Sequence, residues 1–401
     1  MLFTSTQNQK NLPRYFSRVF DMACNMNFGQ LDFALSDGRV FRAIGRNKGP
    51  IAQLNIHNPD IFARLIREGD LGFCDAYLDQ WWSTPDLQAF MDLIHADNDD
   101  LYDGFPGMAL VRFYEKFRFW LQRNSKKQAL KNISYHYDLG NDFYQLWLDE
   151  TMTYSSALFK TGQESLENAQ LAKYASMVEQ MDVKSGDHIL EIGCGWGGFA
   201  EYAAKEHGLR ITGLTLSNEQ LVFARERIKA LGLSDLVEFK LQDYRDETGQ
   251  YDGIASIEMF EAVGQKYWPS YFKVLRDCLK PGRHATLQII TVQDARWDVY
   301  QRGVDFIQKY IFPGGMLPSP SVLRTEIETA GLSVVRSLEF GESYAQTLRR
   351  WHDVFNKKWD QVAALGFDER FRRMWNFYLT SCAATFSTSN CEVTQITVTN
   401  R

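Results

Sequence analysis

The sequence predicts an α/β fold, with a seven-stranded and mostly parallel sheet in its larger C-terminal part and a smaller α+β unit before it. Three observations lead to this prediction. Strand-like and helix-like segments alternate from residue 165 onward, a glycine loop follows the first of those strands, and a hairpin pattern stands near the N-terminus. Alternating strands and helices are typical of a parallel sheet with helices on both faces.

The N-terminal unit is predicted to span residues 1–125 and to contain a hairpin followed by two helices. FALSDGRVFRAIG (33–45) alternates apolar and polar residues around an Asp-Gly turn, which is a hairpin pattern. IFARLIREG (61–69) and DLQAFMDLIHAD (86–97) place their apolar residues at helical spacing.

A basic and aromatic segment, FYEKFRFWLQRNSKKQALKN (113–132), links this unit to the next. One interpretation is an amphipathic helix that runs into a solvated linker, since runs of charge usually face water. The other is a patch that rests on anionic lipid headgroups. Both interpretations stay open, with the linker predicted to end at about residue 132 and the second unit to span 133–401.

The second unit is predicted to contain seven strands and the helices between them. In chain order the strand-like segments are HILEIG (188–193), RITGLTL (210–216), VEFKLQ (237–242), YDGIASI (251–257), HATLQIITV (284–292), SVVRSLEF (333–340) and CEVTQITVT (391–399). We expect the last two to pair antiparallel at an edge of the sheet. The insert at about 293–332 predicts a helical flap with a Pro-Gly-Gly turn.

Charge and cysteine usage narrow the possible functions. A net charge of −6 argues against a protein built to cover nucleic acid. The six cysteines include no CxxC pair, so neither a zinc site nor a disulfide framework is predicted, and no metal is expected. We see no secretory leader and no run of about 18 apolar residues. We therefore expect a cytoplasmic protein whose contact with a membrane is peripheral.

The glycine loop after the first predicted strand indicates which ligand is bound. Gly193-x-Gly195-x-x-Gly198 matches the dinucleotide pattern, but the next strand ends in Thr215 and Ser217, without the acid that would hold a ribose. The acid stands before the glycines instead, as Glu191. A carboxylate there suits a cationic amino group, and the following helix N-terminus suits a carboxylate. S-adenosylmethionine presents both groups at one end.

This glycine-loop segment resembles the class I S-adenosylmethionine-dependent methyltransferases, whose Rossmann-like sheet has seven strands. Five further segments resemble the cyclopropane-fatty-acyl-phospholipid synthase family, which includes the mycolic acid cyclopropane synthases. They are YHYDLGNDFYQLWLDETMTYSSALF (135–159), LTLSNEQ (214–220), LQDYRD (241–246), EMFEAVGQKYW (258–268) and KYIFPGGMLPS (309–319). The resemblance is strong over about 130–401, and the N-terminal unit more weakly resembles the lipid-binding domain of bacterial members.

The resemblance implies an enzyme that transfers a methyl carbon from S-adenosylmethionine to a cis double bond of an unsaturated fatty acyl chain in a phospholipid, forming a cyclopropane fatty acid. Attack by the alkene leaves a carbocation, so the site must exclude water and stabilise positive charge with aromatic faces. A base must then remove a proton from the added carbon. The flap is expected to cover the acyl channel.

The resemblance also implies which residues hold the cofactor. From the methionine end to the adenine, the matching positions are Tyr154, Ser155, Glu191, Gly193, Gly195, Thr215, Leu216, Gln220, Asp243 and Tyr244. Three tyrosines are expected to face the carbocation, namely Tyr137, Tyr310 and Tyr344. A role in packing alone stays open for all three.

In this family the base is a bound bicarbonate ion, and the matching ligands are Ser156, Glu261, Gln288, Ile290 and Tyr344. This chain departs from the family pattern. Ser156 stands where the family has cysteine, Gln288 where it has histidine, and Ala262 where many members have histidine. Serine and glutamine still offer hydrogen-bond donors, so bicarbonate is expected as a second cofactor.

Several alternatives stay open. Loss of the bicarbonate would let a different proton leave and would give a methyl-branched or methylene-bearing product. A catalytically inactive, lipid-binding protein with a methyltransferase fold is another alternative, and a small-molecule N- or O-methyltransferase is a third. The expected partner is an unsaturated phospholipid in a membrane, and family resemblance adds a homodimer.

Overall fold

The computed structural model describes residues 1–96 and 139–400. The N-terminal part forms a five-stranded sheet in the order β1-β3-β2-β4-β5. Its strands are β1 Leu2–Phe3, β2 Phe28–Ala34, β3 Val40–Ile44, β4 Asn47–Ile56 and β5 Trp82–Ser83. Its helices are Phe16–Ala23, Ile61–Leu78 and Leu87–Ala96. β2 and β3 pair antiparallel around Asp37-Gly38, which confirms the predicted hairpin.

The strand β4 is absent from the sequence-based prediction because its first half contains Gly49 and Pro50. Proline lacks the N–H that a central strand donates and is tolerated where one edge is unpaired. That condition holds within residues 1–96 and 139–400, where β4 pairs with β5 only at Asn55 and Ile56 and its other residues have no partner strand on that side.

The C-terminal part forms a seven-stranded sheet in the order β11-β12-β10-β9-β6-β7-β8. Its strands are β6 His188–Ile192, β7 Arg210–Thr215, β8 Val237–Leu241, β9 Tyr251–Ile257, β10 Leu279–Val292, β11 Leu332–Glu339 and β12 Cys391–Asn400. β12 runs antiparallel between β10 and β11. All seven predicted strands are present, and the predicted α/β class is confirmed.

Helices cover both faces of this sheet and extend beyond it. They are Asn141–Gln145, Leu166–Met181, Gly198–His207, Asn218–Ala230, Trp268–Cys278, Asp294–Tyr300, Phe306–Tyr310, Pro320–Thr329, Gly341–Lys357, Trp359–Ala364 and Glu369–Ser387. Three of them lie within the predicted flap at 293–332. None of the helices in the described part of the chain has the length and apolar character needed to span a bilayer.

One apolar core joins the N-terminal sheet to the C-terminal helices. Trp82 and Tyr77 from the N-terminal part lie in the same buried cluster as Trp375 and Phe377. Arg373, beside them on the helix Glu369–Ser387, donates hydrogen bonds to the carbonyls of Tyr77 and Trp82. This packing fixes the N-terminal sheet against the C-terminal helices, and the predicted boundary between the two units lies outside the described residues.

Candidate active site

The glycine loop after β6 leaves room for a ligand. The N–H groups of Gly193 and Cys194 both donate to the carbonyl of Leu214 on β7, which ties the loop to the sheet. Gly193 and Gly195 have φ values of 84° and 52°, in the region that favours glycine. A Cβ on Gly195 would meet no atom within 4 Å, so this face of the loop is open to a bound molecule.

Glu191 is the penultimate residue of β6, just before the glycine loop, and its surroundings fit a cationic ligand. The residue is only 3% exposed, and its Oε2 has no hydrogen-bond partner among the described residues. Burial raises the pKa of Glu191 well above its usual value, against the attraction of the Lys173 ammonium. A buried carboxylate oxygen with no partner is destabilised until a donor reaches it. The amino group of S-adenosylmethionine would supply that donor.

The residues predicted at the adenosine end meet at the end of β7. The Thr215 hydroxyl donates to Gln220 Oε1 at 3.0 Å and accepts from the Ser217 N–H at 3.1 Å. Ser217 also caps the helix Asn218–Ala230 by accepting from the Gln220 N–H. Leu216, half-buried, lies between these residues. The local fold thus brings Thr215, Leu216 and Gln220 together.

Asp243 and Tyr244 follow β8, at the same edge of the sheet. The Arg245 guanidinium donates to both carboxylate oxygens of Asp243, at 2.8 and 2.6 Å. Tyr244 packs edge-on against Tyr271. Contacts of Asp243 and Tyr244 with an adenine stay a prediction.

Tyr154 and Ser155 reach the site from the segment between the helices Asn141–Gln145 and Leu166–Met181. The Ser155 hydroxyl accepts a hydrogen bond from Lys173 Nζ at 2.7 Å, and the Tyr154 hydroxyl lies 2.8 Å from that of Tyr378. Burial lowers the pKa of Lys173 to about 7, opposed first by the Glu258 carboxylate. Sequence reasoning missed Lys173, which no motif singles out.

Three residues predicted to bind bicarbonate converge on the side chain of Glu258 instead. Glu258 Oε1 accepts from the Ser156 N–H and from Gln288 Nε2, each at 2.8 Å. Glu258 Oε2 accepts from the Tyr344 hydroxyl at 2.8 Å. Burial raises the pKa of the Glu258 carboxyl, and these three donors oppose that rise.

The other two predicted bicarbonate ligands bind each other. The Ile290 N–H donates to Glu261 Oε1 at 2.6 Å, while Glu261 Oε2 is buried without a hydrogen-bond partner in the described part of the chain. Burial, together with repulsion from Glu258, raises the pKa of Glu261 to about 8. Near neutral pH, Glu261 is therefore mainly in its protonated form.

These contacts do not fit a bound bicarbonate. The donors of Ser156, Gln288 and Tyr344 point at one carboxylate that the chain itself supplies. A second anion at the same donors would lie against Glu258, which is unfavourable in a buried site. The predicted ligands therefore do not form a separate binding site for the bicarbonate expected from the family resemblance.

Glu258 is a second site residue, besides Lys173, that sequence reasoning missed. It opens the quoted segment EMFEAVGQKYW, only three residues before Glu261, so the segment offers two carboxylates and the resemblance assigns only the second. The backbone at Glu258 has φ 48°, a left-handed conformation that is unusual for a residue with a side chain. Such backbone strain is of order 1–3 kcal/mol and tends to occur at functional sites.

A cavity of about 920 Å³ begins at these carboxylates and continues between the flap and the N-terminal sheet. At the site it is bounded by Tyr154, Glu258, Glu261 and Tyr344. Away from the site its wall is mainly apolar and includes Val19, Met22, Met26, Leu31, Phe33, Leu54, Phe62, Phe73, Met91 and Ile94 from the N-terminal part. The flap contributes Phe306, Ile307, Phe312 and Met316. The space is therefore suited to a long apolar chain that contacts Glu258 and Glu261.

Of the three tyrosines predicted to face the carbocation, Tyr310 does not line this cavity, and Tyr137 is not among the described residues. Tyr310 donates its hydroxyl to Asp75 at 2.5 Å, and Lys309 pairs with the same carboxylate at 3.1 Å, so this part of the flap is fixed to the N-terminal part. Tyr137 and the basic segment 113–132 lie outside the described residues. Of the two predicted tyrosines that the structure describes, Tyr344 lines the cavity.

Comparisons with known proteins agree with this geometry. A family model described as mycolic acid cyclopropane synthetase matches residues 124–396. A tuberculostearic acid methyltransferase of Mycobacterium tuberculosis is 38% identical over 378 residues, which are 92% of this chain and 87% of the relative. A cyclopropane-fatty-acyl-phospholipid synthase of Escherichia coli is 36% identical over 358 residues, 88% of this chain and 89% of that protein.

A solved structure shares the fold of the C-terminal part. It is a mycolic acid cyclopropane synthase in complex with S-adenosylhomocysteine and CTAB, 29% identical, with a TM-score of 0.63. The match covers 67% of this chain and 98% of that one. The relative thus binds the demethylated cofactor product together with a long-chain amphiphile.

Proposed function

This chain belongs to the mycolic acid cyclopropane synthetase family, and we propose that it transfers the methyl carbon of S-adenosylmethionine to a cis double bond in the acyl chain of an unsaturated phospholipid. Membership makes it an S-adenosylmethionine-dependent methyltransferase that acts on lipids. The alkene, the phospholipid and the product are the proposed parts.

One observation carries the proposal: the apolar cavity is continuous from the N-terminal sheet to Tyr154, Glu258 and Tyr344. An acyl chain that fills this cavity would bring a mid-chain double bond to the cofactor end of the site. The bound cofactor supplies an electrophilic methyl group on a sulfonium. An alkene is a weak nucleophile. The enzyme must therefore accelerate the reaction by holding the double bond and the methyl group of the cofactor in contact.

The residues around the site match the demands of the carbocation that follows. Apolar walls from Phe312 and Met316 limit the access of water, which would add to the cation. The aromatic ring of Tyr344 offers a face that attracts positive charge without reacting. The Glu258 carboxylate adds a negative charge close by. We propose that the added carbon then loses a proton and closes a cyclopropane ring.

A second product is supported by the relatives themselves, since one of them is named for tuberculostearic acid, a methyl-branched acid. If the cation moves along the chain before the same proton leaves, the product carries a methylene group and no ring. Ring closure and methylene formation need the same base, so they differ only in the position of the cation when the proton is removed.

A membrane setting is a further part of the proposal. Arg296 and Arg302 of the flap lie on the cavity wall, and Arg302 is exposed. Cations at this position suit the phosphate of a lipid headgroup. We propose that the enzyme binds the inner face of a membrane peripherally, in the cytoplasm. A homodimer stays a prediction.

The test uses vesicles of unsaturated phospholipid and S-adenosylmethionine with a deuterated methyl group. Mass spectrometry of the released fatty acids should show one added carbon that keeps two of its three deuterium atoms. Mild hydrogenation then separates the products, because a methylene alkene takes up hydrogen and a cyclopropane does not. Vesicles of saturated phospholipid are the control. No added carbon with any unsaturated phospholipid would contradict the proposal, and retention of three deuterium atoms would contradict both products.

A further inference from the structure

We propose that Glu258 is the general base of the reaction, a carboxylate built into the chain in the place where the family binds bicarbonate from solution. The inference rests on the proposed function, because it names the group that removes the proton from the transferred carbon. It goes beyond that function by assigning the base to a residue that the family resemblance leaves without a role.

The first argument is the identity of the donors. Ser156, Gln288 and Tyr344 are three positions that the resemblance assigns to bicarbonate, and all three donate to Glu258. A glutamate carboxylate and a bicarbonate ion present the same pair of acceptor oxygens. The hydrogen bonds that would orient the free ion here orient a side chain.

The second argument is that Glu258 can still accept a proton. Two donors reach Oε1 and one reaches Oε2, so the hydrogen bonds leave acceptor capacity on Oε2, since each carboxylate oxygen has about two lone-pair sites. Glu258 also lines the apolar cavity, beside Tyr154 and Tyr344. The carboxylate is therefore fixed by its donors and remains in contact with the space proposed for the acyl chain.

The third argument is the backbone. Glu258 has a left-handed φ of 48°, which glycine adopts freely and a residue with a side chain adopts only with strain. A structural role for the loop alone would be met better by glycine. The strain is explained if the carboxylate itself is required at this point.

The surrounding charges keep Glu258 suited to act as a base and its neighbour unable to replace it. The Lys173 ammonium attracts the Glu258 carboxylate and favours its ionised form. Glu261 is mainly protonated near neutral pH, since burial and the Glu258 charge raise its pKa to about 8. The Lys173 charge and the three donors thus lower the pKa of Glu258 against the effect of burial, whereas the Glu258 charge adds to the effect of burial at Glu261.

The proton and electron balance is complete without another reactant. The C–S bond of the sulfonium breaks and its electron pair stays on sulfur, while the alkene electrons form the first new C–C bond. A C–H bond of the added carbon then breaks, its electron pair closes the ring, and its proton moves to Glu258. The net products are the ring, S-adenosylhomocysteine and one proton.

The experiment compares wild type, Glu258→Gly and Glu258→Gln in buffer freed of carbon dioxide, with and without added bicarbonate. Wild type should be equally active in both. Glu258→Gly should lose at least about 100-fold in rate without bicarbonate, the lower range of a general base, and should regain activity when it is added. Glu258→Gln places a neutral side chain at the donors of Ser156, Gln288 and Tyr344. This variant should therefore stay inactive with and without bicarbonate.

Binding gives a readout that does not depend on turnover. The carbon NMR signal of labelled bicarbonate should broaden in the presence of Glu258→Gly and stay sharp with wild type and with Glu258→Gln. Cofactor titration checks that both variants are folded. Wild-type activity that requires bicarbonate, or broadening by wild type equal to that by Glu258→Gly, would overturn the inference.

Failure of the proposed function gives a different result. If wild type modifies no unsaturated phospholipid, the proposed reaction is wrong. The carbon NMR signal of bicarbonate still decides whether Glu258 occupies the donors of Ser156, Gln288 and Tyr344 in place of the ion. If wild type forms product and Glu258→Gly is equally active without bicarbonate, the reaction stands and Glu258 is not its base.

Discussion

Two buried carboxylates at the same edge of the seven-stranded sheet are in opposite states. Glu191 is the penultimate residue of β6, Glu258 directly follows β9, and these two strands are neighbours in the sheet. Glu191 has an oxygen with no hydrogen-bond partner among the described residues, whereas both oxygens of Glu258 accept hydrogen bonds. Lys173 attracts both of them.

The difference indicates two ways of using a buried acid. An unsatisfied carboxylate is destabilised until a cation reaches it, so Glu191 favours binding of a positively charged ligand. A satisfied carboxylate is already stable and is held in one orientation, which suits a group that must meet a reacting atom. Glu191 therefore needs a cationic group from the bound cofactor, whereas Glu258 supplies an anion from the chain itself.

The largest expected effect in this comparison is at Glu191. Replacing Glu191 with Gln removes the negative charge and should weaken the binding of S-adenosylmethionine by about 100- to 1000-fold, the usual loss when one partner of a buried charge pair is removed. Isothermal titration calorimetry measures this loss. The matched control is Glu206→Gln on the helix Gly198–His207, whose carboxylate is exposed.

The pH dependence of cofactor binding tests the same residue. In the cofactor-free protein the pKa of Glu191 is raised by burial, so the cationic ligand must displace a proton from it. Affinity for S-adenosylmethionine should therefore rise with pH in the wild type, and this rise should be lost in Glu191→Gln. Equal affinities for the variant and the wild type would remove Glu191 from the cofactor site.

The second effect concerns stability and involves Glu261. Its pKa is about 8 in the folded protein and about 4.5 in the unfolded chain, so folding binds the proton more tightly. The free energy of unfolding should fall as the pH rises from about 4.5 to about 8, by up to about 1.4 kcal/mol for each pKa unit. Glu261→Gln should remove this contribution.

Thermal unfolding at pH 5 and pH 8 measures the effect. The gain in stability of Glu261→Gln over wild type should be larger at pH 8, while Glu328→Gln, an exposed change on the helix Pro320–Thr329, should show no such difference. A gain that is the same at both pH values would mean that Glu261 is not a buried, protonated acid.

The third effect concerns the hydroxyl of Tyr344. Tyr344→Phe removes the hydroxyl that donates to Glu258 Oε2 and keeps the aromatic ring, so kcat should fall by about 10-fold, the value of one hydrogen bond to a charged group. KM for the cofactor should stay unchanged. The control Tyr202→Phe removes a hydroxyl from a residue of the helix Gly198–His207 that does not line the cavity. An unchanged kcat for Tyr344→Phe would show that this donor does not orient the base.

The sequence predicts the scaffold of the site better than its chemistry. The seven strands follow from alternation, and the position of Glu191 follows from its place at the end of a strand before glycines. Which of two carboxylates turns toward Ser156 and Gln288 depends on a left-handed residue at Glu258, and no periodic pattern encodes that conformation.

Long-range contacts explain the other differences. Gln288 and Ser156 are 132 residues apart in the sequence. They meet because β10, which contains Gln288, lies beside the segment that contains Ser156. The link between the flap and Asp75 joins residues 235 positions apart, so a tyrosine beside the Pro-Gly-Gly turn is fixed to the N-terminal part instead of facing the cavity. Pairings at this distance are set by tertiary packing.

The smallest expected effect tests whether the N-terminal half of the cavity holds the acyl chain. Met22 lies on the helix Phe16–Ala23, is half-buried and lines the cavity. Met22→Trp should fill part of that space and lower kcat/KM several-fold for long acyl chains, with little change for short ones. Competition between phospholipids of two chain lengths measures the ratio. Met22→Leu, of similar volume, should keep the wild-type ratio. If Met22→Trp leaves this ratio as unchanged as Met22→Leu does, the acyl chain does not occupy the N-terminal half of the cavity. The carboxylates would then face a chain that enters from the flap alone.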